Sequence, residues 1–183
     1  AVGLGLIISV GLSLVALRWR RSYAPITTLA GVLYTIPSLA AFAFLVPILG
    51  LSMTNALVAL TSYTLLILVR NIVAGIDSVP RAIVEAADGM GYTPRRRFWS
   101  TEVPLALPVI IAGVRIATVT TVGLVTVTAV LGLGGYGYFI LRGFNSFHWT
   151  QVMVGVGLSV VLATILDLGL VGLRRMLTPW TAR

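Results

Sequence analysis

Thirteen arginines, five acids and one histidine are the only residues of this 183-residue sequence that carry or readily exchange charge, and they do not assemble into a catalytic set. Asp77, Glu85, Asp88, Glu102 and Asp167 are too scattered to form a paired-carboxylate acid and base. His148 stands alone and cysteine is absent, so no histidine or thiolate cluster is available for a metal. No glycine loop carries the lysine that a phosphate-binding loop needs. The charges that remain suit recognition rather than bond making. Two groups stand out: a polar run around Glu85, Asp88 and Arg95, Arg96 and Arg97, and isolated polar residues inside apolar stretches, namely Arg70, Asn71, Arg115 and Asp167.

The elements that position these groups follow from composition. The chain is 58% hydrophobic and only 10% charged, with far more apolar surface than one soluble core requires. It reads as an all-α, polytopic membrane protein. The net charge of +8 raises nucleic-acid binding, but the arginines lie between apolar runs instead of on a water-facing patch, so that class is excluded. A helix needs about 20 residues to cross about 30 Å of hydrocarbon. Five runs approach that length: 1–17, 28–49, 54–76, 105–131 and 150–173, the first of them slightly short. The whole of 1–183 then forms one transmembrane domain, interrupted by a polar insert over about 77–104 and a glycine and aromatic loop at 132–149.

Five alternating spans put Arg18, Arg20, Arg21, Arg81, Arg95, Arg96, Arg97, Arg174, Arg175 and Arg183 on one side, with Arg142 in a segment on the other. Because Lys and Arg are retained on the cytoplasmic side, the insert and the C-terminus are expected inside. Trp19, Trp99, Trp149 and Trp180 fall near the expected interfaces.

Within the insert, Asp77 and Ser78 offer helix caps and Pro80 suits a first turn. Val79, Ile83, Ala86 and Met90 recur at helical spacing as an apolar stripe. Gly89 and Gly91 supply a corner, and Thr93 with Pro94 starts a second short helix. Three arginines at that helix's start oppose its dipole, so something outside the helix must favour them. The anionic inner leaflet is one candidate, and an acidic surface on a cytoplasmic partner is the other.

Glu85-Ala86-Ala87, three residues, Gly91, nine residues, then Thr101-x-Val103-Pro104 resembles the EAA loop of ABC-importer permeases, which usually ends in Ile-x-Leu-Pro. The spacing matches throughout, while Thr101 and Val103 depart from the usual residues. YTIPSLA from Tyr34, RNIVAGI from Arg70, EAADGMGYT, the VPLALPVIIAGVR run and GLGGYG extend the likeness to the osmoprotectant branch over nearly the whole chain. The resemblance implies a type I importer permease fold and a subunit that is not itself an enzyme. It implies import of glycine betaine, carnitine, choline or related compounds, through a bacterial inner membrane. The implied partners are a second permease, identical or homologous, two ATP-binding subunits and an extracytoplasmic binding protein. No cofactor is expected on this chain; ATP and Mg belong to the ATPase partner.

In that reading Glu85 offers a carboxylate to the ATPase, Ala86 and Ala87 allow close approach, Gly91 makes the corner, and Asp88 and Arg95, Arg96 and Arg97 share the interface. Alternatives are a type I permease for another small solute, such as methionine or ergothioneine, or a channel or scaffold without an ATPase.

Ionisable residues inside a membrane face protein or water and usually have partners. Arg115 and Asp167 both fall in the inner half of their spans and are expected to pair, with Arg70 and Asn71 as a second possible partner or anchor. A structural clamp is the preferred role over substrate contact. For the substrate path, Tyr34, Tyr63 and Thr121 are candidates: a quaternary ammonium ion is recognised by aromatic faces, and threonines line or pack membrane helices.

Overall fold

The computed structural model describes residues 1–181, which places Arg183 outside the described residues. Nine α-helices follow one another among the described residues, and no strand is present. They are α1 (Val2–Arg18), α2 (Tyr23–Thr35), α3 (Ser38–Leu49), α4 (Met53–Asp77), α5 (Arg81–Gly89), α6 (Pro94–Arg97), α7 (Val103–Val127), α8 (Tyr136–Asn145) and α9 (Trp149–Leu177). Three helical stretches are long and apolar enough to cross a membrane: α4, the run 94–131 that contains α7, and α9. The bent pair α2 and α3 makes a fourth candidate, while α1 is an apolar helix of 17 residues.

Helix α4 is the centre of the bundle, buried at intervals from Asn55 to Ile76, with α1, α2, α3 and α7 packed around it. A small-residue stripe lets α1 come close: Gly5, Ser9, Ser13 and Ala16 are all buried. The approach at Gly5 leaves no room for a side chain, since a Cβ there would lie 1.9 Å from the Thr64 hydroxyl oxygen. Gly113 of α7 is as tight, because an added Cβ would lie 2.3 Å from Cβ of Asn71. Close helix approach through small residues is how membrane helices associate when lipid offers no hydrophobic drive. Helix α9 sits at the periphery against α7 and α8, and its apolar residues are mostly exposed.

Three expectations need correction. The span at 28–49 is not one helix: α2 and α3 meet at 95° around Ile36 and Pro37. Proline drives the preceding residue out of helical geometry, and Ile36 is extended, with φ −65° and ψ 126°. The 132–149 segment is not simply a loop, because it contains α8, entered through Gly134 and Gly135 at φ +76° and +74°. Asp77 and Ser78 do not cap the insert helix. They end α4, where the Ser78 hydroxyl donates to the Gly75 carbonyl, and α5 begins after Pro80. Asp77 instead accepts both terminal guanidinium nitrogens of Arg20, which ties the end of α1 to the end of α4.

Candidate functional site

The insert is built as two arms around a corner. α5 closes in a Schellman arrangement: the Tyr92 amide donates to Ala87 O, the Gly91 amide to Asp88 O, and Gly91 takes φ +77°. Thr93 then caps α6 by accepting the Arg96 amide. α6 does not end as a separate short helix. It passes through one π-helical turn at Phe98–Glu102 directly into α7, so the corner is rigidly joined to a long membrane helix. Such turns are rare and tend to occur at functional positions.

Arg97 braces the two arms. Its Nη1 donates to both Asp88 oxygens at 2.8 and 2.6 Å, and its Nε donates to Glu102 Oε1 at 2.8 Å. Glu102 was missed as a participant at the sequence level, although a carboxylate five residues after an arginine in a helical run was a usable signal. Arg96 lies over the Tyr92 ring at 4.3 Å. Glu85 and Arg95 are exposed and have no ion-pair partner among the described residues. The arginines therefore differ: Arg97 holds the corner, Arg96 stacks on it, and Arg95 is exposed without an ion pair among the described residues.

The two alanines also diverge. Ala87 is buried against the chain itself, whereas Ala86 is exposed beside Glu85. Of the apolar stripe, Val79 is buried ahead of the helix, and Ile83 and Met90 point outward, with Met90 68% exposed. Part of the apolar stripe is thus turned away from its own chain.

Between α7 and α9, Arg115 and Asp167 are brought together in a two-pronged pair: Nε to Oδ1 and Nη2 to Oδ2, both at 2.7 Å. Arg70 and Asn71 are not part of it. Arg70 is exposed, while the Asn71 side-chain amide donates to Ile67 O and packs on Gly113. Tyr63 is buried and gives its hydroxyl to Ile36 O at the helix break, with Tyr34 edge-on to it at 6.0 Å. Thr121 lines a cavity of about 490 Å³ between the start of α1, α4, α7, α9 and residues 133–137, which Tyr34 and Tyr63 do not line. Its hydroxyl donates back to Ala117 O. The structure thus separates the three candidates for the substrate path, which the sequence grouped together. Among the described residues, no three His, Cys, Asp or Glu side chains converge to hold a metal.

Residues 1–182 match the family model described as binding-protein-dependent transport system inner membrane component. The chain belongs to this family. This permease is 36% identical to the choline transport system permease protein OpuBB of Bacillus subtilis, over 98% of its own length and 82% of the relative's. It is also 36% identical to the osmoprotectant import permease protein OsmW of Salmonella typhimurium, over 98% of its own length and 86% of the relative's. In fold the permease matches a chain of the MetNI methionine ABC transporter in an inward-facing conformation, with a TM-score of 0.81 and 20% identity, covering 97% and 89% of the two chains. At that identity the last match speaks for the type I permease fold alone. The insert that carries Glu85 and Gly91 thus lies in a permease of the kind that the EAA spacing suggested.

Proposed function

We propose that this permease is a transmembrane subunit of an ATP-driven importer of quaternary ammonium osmoprotectants of the glycine betaine, carnitine and choline type. The observation that carries the reading is near full-length similarity, at 36% identity, to permeases named for choline and osmoprotectant import. The assembly comprises this chain, a second permease, two ATP-binding subunits that carry ATP and Mg, and an extracytoplasmic binding protein. It sits in the bacterial inner membrane with the 77–104 loop and the C-terminal end in the cytoplasm, because the arginines collect on that side.

The loop is the coupling element. Exposed Glu85, Ala86, Ile83 and Met90 supply one carboxylate and an apolar surface to a groove on the ATPase, and Arg95 supplies a cation beside them. Ala87, Asp88, Gly91, Arg96 and Arg97 hold the corner in shape rather than touch the partner. Since α6 runs into α7 without a break, displacement of the loop by the ATPase is transmitted to the membrane helix. The test is uptake of radiolabelled choline and glycine betaine, with methionine as the control, in cells expressing all subunits. Glu85→Lys should reduce both ATPase copurification and uptake, and normal values for both would remove the coupling role. Methionine uptake without choline or glycine betaine uptake would overturn the substrate class.

A further inference from the structure

The Arg115 and Asp167 pair is incomplete as a hydrogen-bonding system. A guanidinium has five N–H donors, and Asp167 takes one from Nε and one from Nη2. Nη1 has no acceptor among the described residues, so the Nη1 and Nη2 edge, which has the geometry to grip a carboxylate with two parallel bonds, is open. Arg115 lies twelve residues into α7, about 18 Å from its start by helix rise, and therefore at the depth of the hydrocarbon. Unsatisfied donors do not face lipid there. Both side chains are nevertheless 28% exposed on this chain.

They open into a groove of about 460 Å³, lined by Ala112, Ile116, Val119 and Thr120 as well as the pair. The hydroxyls of Thr118, Thr121, Thr126 and Thr128 on the same run are turned back onto their own helix carbonyls. The Thr120 hydroxyl makes no such bond and lines the groove.

We propose that this groove is a transit site for zwitterionic substrates, in which the open edge of Arg115 receives the substrate carboxylate while Asp167 faces its cationic end. The charge balance favours this ligand over a simple ion. The pair is neutral in sum, and a zwitterion adds no net charge to a low-dielectric site, whereas an anion or a cation would leave one uncompensated. The proposal rests on the transport reading above and deepens it by naming the subclass of substrate that this chain itself recognises.

The experiment uses the complete transporter in proteoliposomes, with glycine betaine as the zwitterion and choline as the cation that lacks a carboxylate. Arg115→Lys keeps a cation opposite Asp167 but removes the second fork. Glycine betaine uptake should fall about tenfold, as expected for the loss of one hydrogen bond to a charged group. Choline, which lacks the carboxylate, should lose less, and the ratio of the two uptakes is the readout.

Unchanged glycine betaine uptake, or an equal fall for both substrates, would overturn the site; so would a parent transporter that carries choline but not glycine betaine. An equal fall accompanied by separation of the two permeases in native mass spectrometry would assign the groove to the contact between permeases instead. Failure of the parent to carry either substrate would sink the transport reading itself. If Arg115→Lys does not assemble, Thr120→Val leaves the ion pair intact and should lower glycine betaine uptake alone by about threefold; equal effects on both substrates, or none on glycine betaine, overturn the site.

Discussion

Arg97 holds Asp88 from across a glycine corner, gripping both carboxylate oxygens with one terminal nitrogen while its Nε holds Glu102 on the other arm. One cation thereby links the end of α5, the π turn and the start of α7. The two contacts are unequal. Asp88 is 48% exposed on its side chain and Glu102 only 14%, so solvent screens the first pair far more than the second.

Removing the exposed partner, Asp88→Asn, should therefore cost the global fold little, within the about 0.2–1 kcal/mol typical of exposed pairs. Its effect should be local. Amide hydrogen exchange over 86–93 should quicken relative to the parent, while the amides of α4 stay protected. Glu102→Gln leaves Arg97 short of its less exposed partner and should loosen the π turn at 98–102 as well. If Asp88→Asn leaves exchange in the corner unchanged, the Schellman bonds hold it without help from the ion pair.

A second prediction concerns the break between α2 and α3. Ile36 ends α2 in an extended conformation, so its carbonyl has no amide of its own helix to accept from, and the Tyr63 hydroxyl takes that role from α4. Tyr63→Phe keeps the ring and its edge-on contact with Tyr34 but removes the donor. Loss of that part-buried hydrogen bond costs about 0.5–1.5 kcal/mol, and equilibrium unfolding in mixed micelles should show a loss of that size. Tyr34→Phe, whose hydroxyl makes no hydrogen bond among the described residues, is the matched control and should change stability by less than about 0.5 kcal/mol. A loss for Tyr63→Phe no larger than that of the control would mean that the rings, and not the hydroxyl, hold the break.

The parts legible in the sequence were those with few alternatives. Arg115 and Asp167 are ionisable residues in long apolar runs, and two such groups at matching depth on antiparallel helices have little to pair with except each other. The loop was legible because Glu85, Ala86, Ala87 and Gly91 share a spacing that carries meaning jointly. The α2 and α3 break was lost because hydropathy averaged over a window passes through Pro37 without registering it, although the proline itself was the signal. α8 was hidden by its glycine-rich approach. Asp77 was misread as a cap because nothing local shows that α4 continues to it, or that Arg20, 57 residues earlier, waits there. The role of Tyr63 could not be read at all, since it depends on a break that had not been recognised.

Gly5 and Gly113, both packed tightly against α4, give the last prediction, because the atoms they would strike differ in kind. At Gly5 the nearest obstacle is the Thr64 hydroxyl oxygen at 1.9 Å, with Thr64 Cβ behind it at 3.1 Å. At Gly113 the nearest is Asn71 Cβ itself, at 2.3 Å. Gly5→Ala and Gly113→Ala should each destabilise by about 1–3 kcal/mol, the usual cost of overpacking a close contact, with Gly113→Ala the worse. The repairs should then part company. Thr64→Ala removes the hydroxyl, so Gly5→Ala combined with Thr64→Ala should recover most of the loss through a shift of a few tenths of an ångström. Asn71→Ala keeps the Cβ that causes the clash, so it should not rescue Gly113→Ala. Unfolding measured as double-mutant cycles separates these outcomes, because contacting residues yield coupling energies of about 0.5–3 kcal/mol. Strong coupling at the first pair and weak coupling at the second is the expected result. The reverse order would mean that α1, rather than α7, is the helix locked against α4.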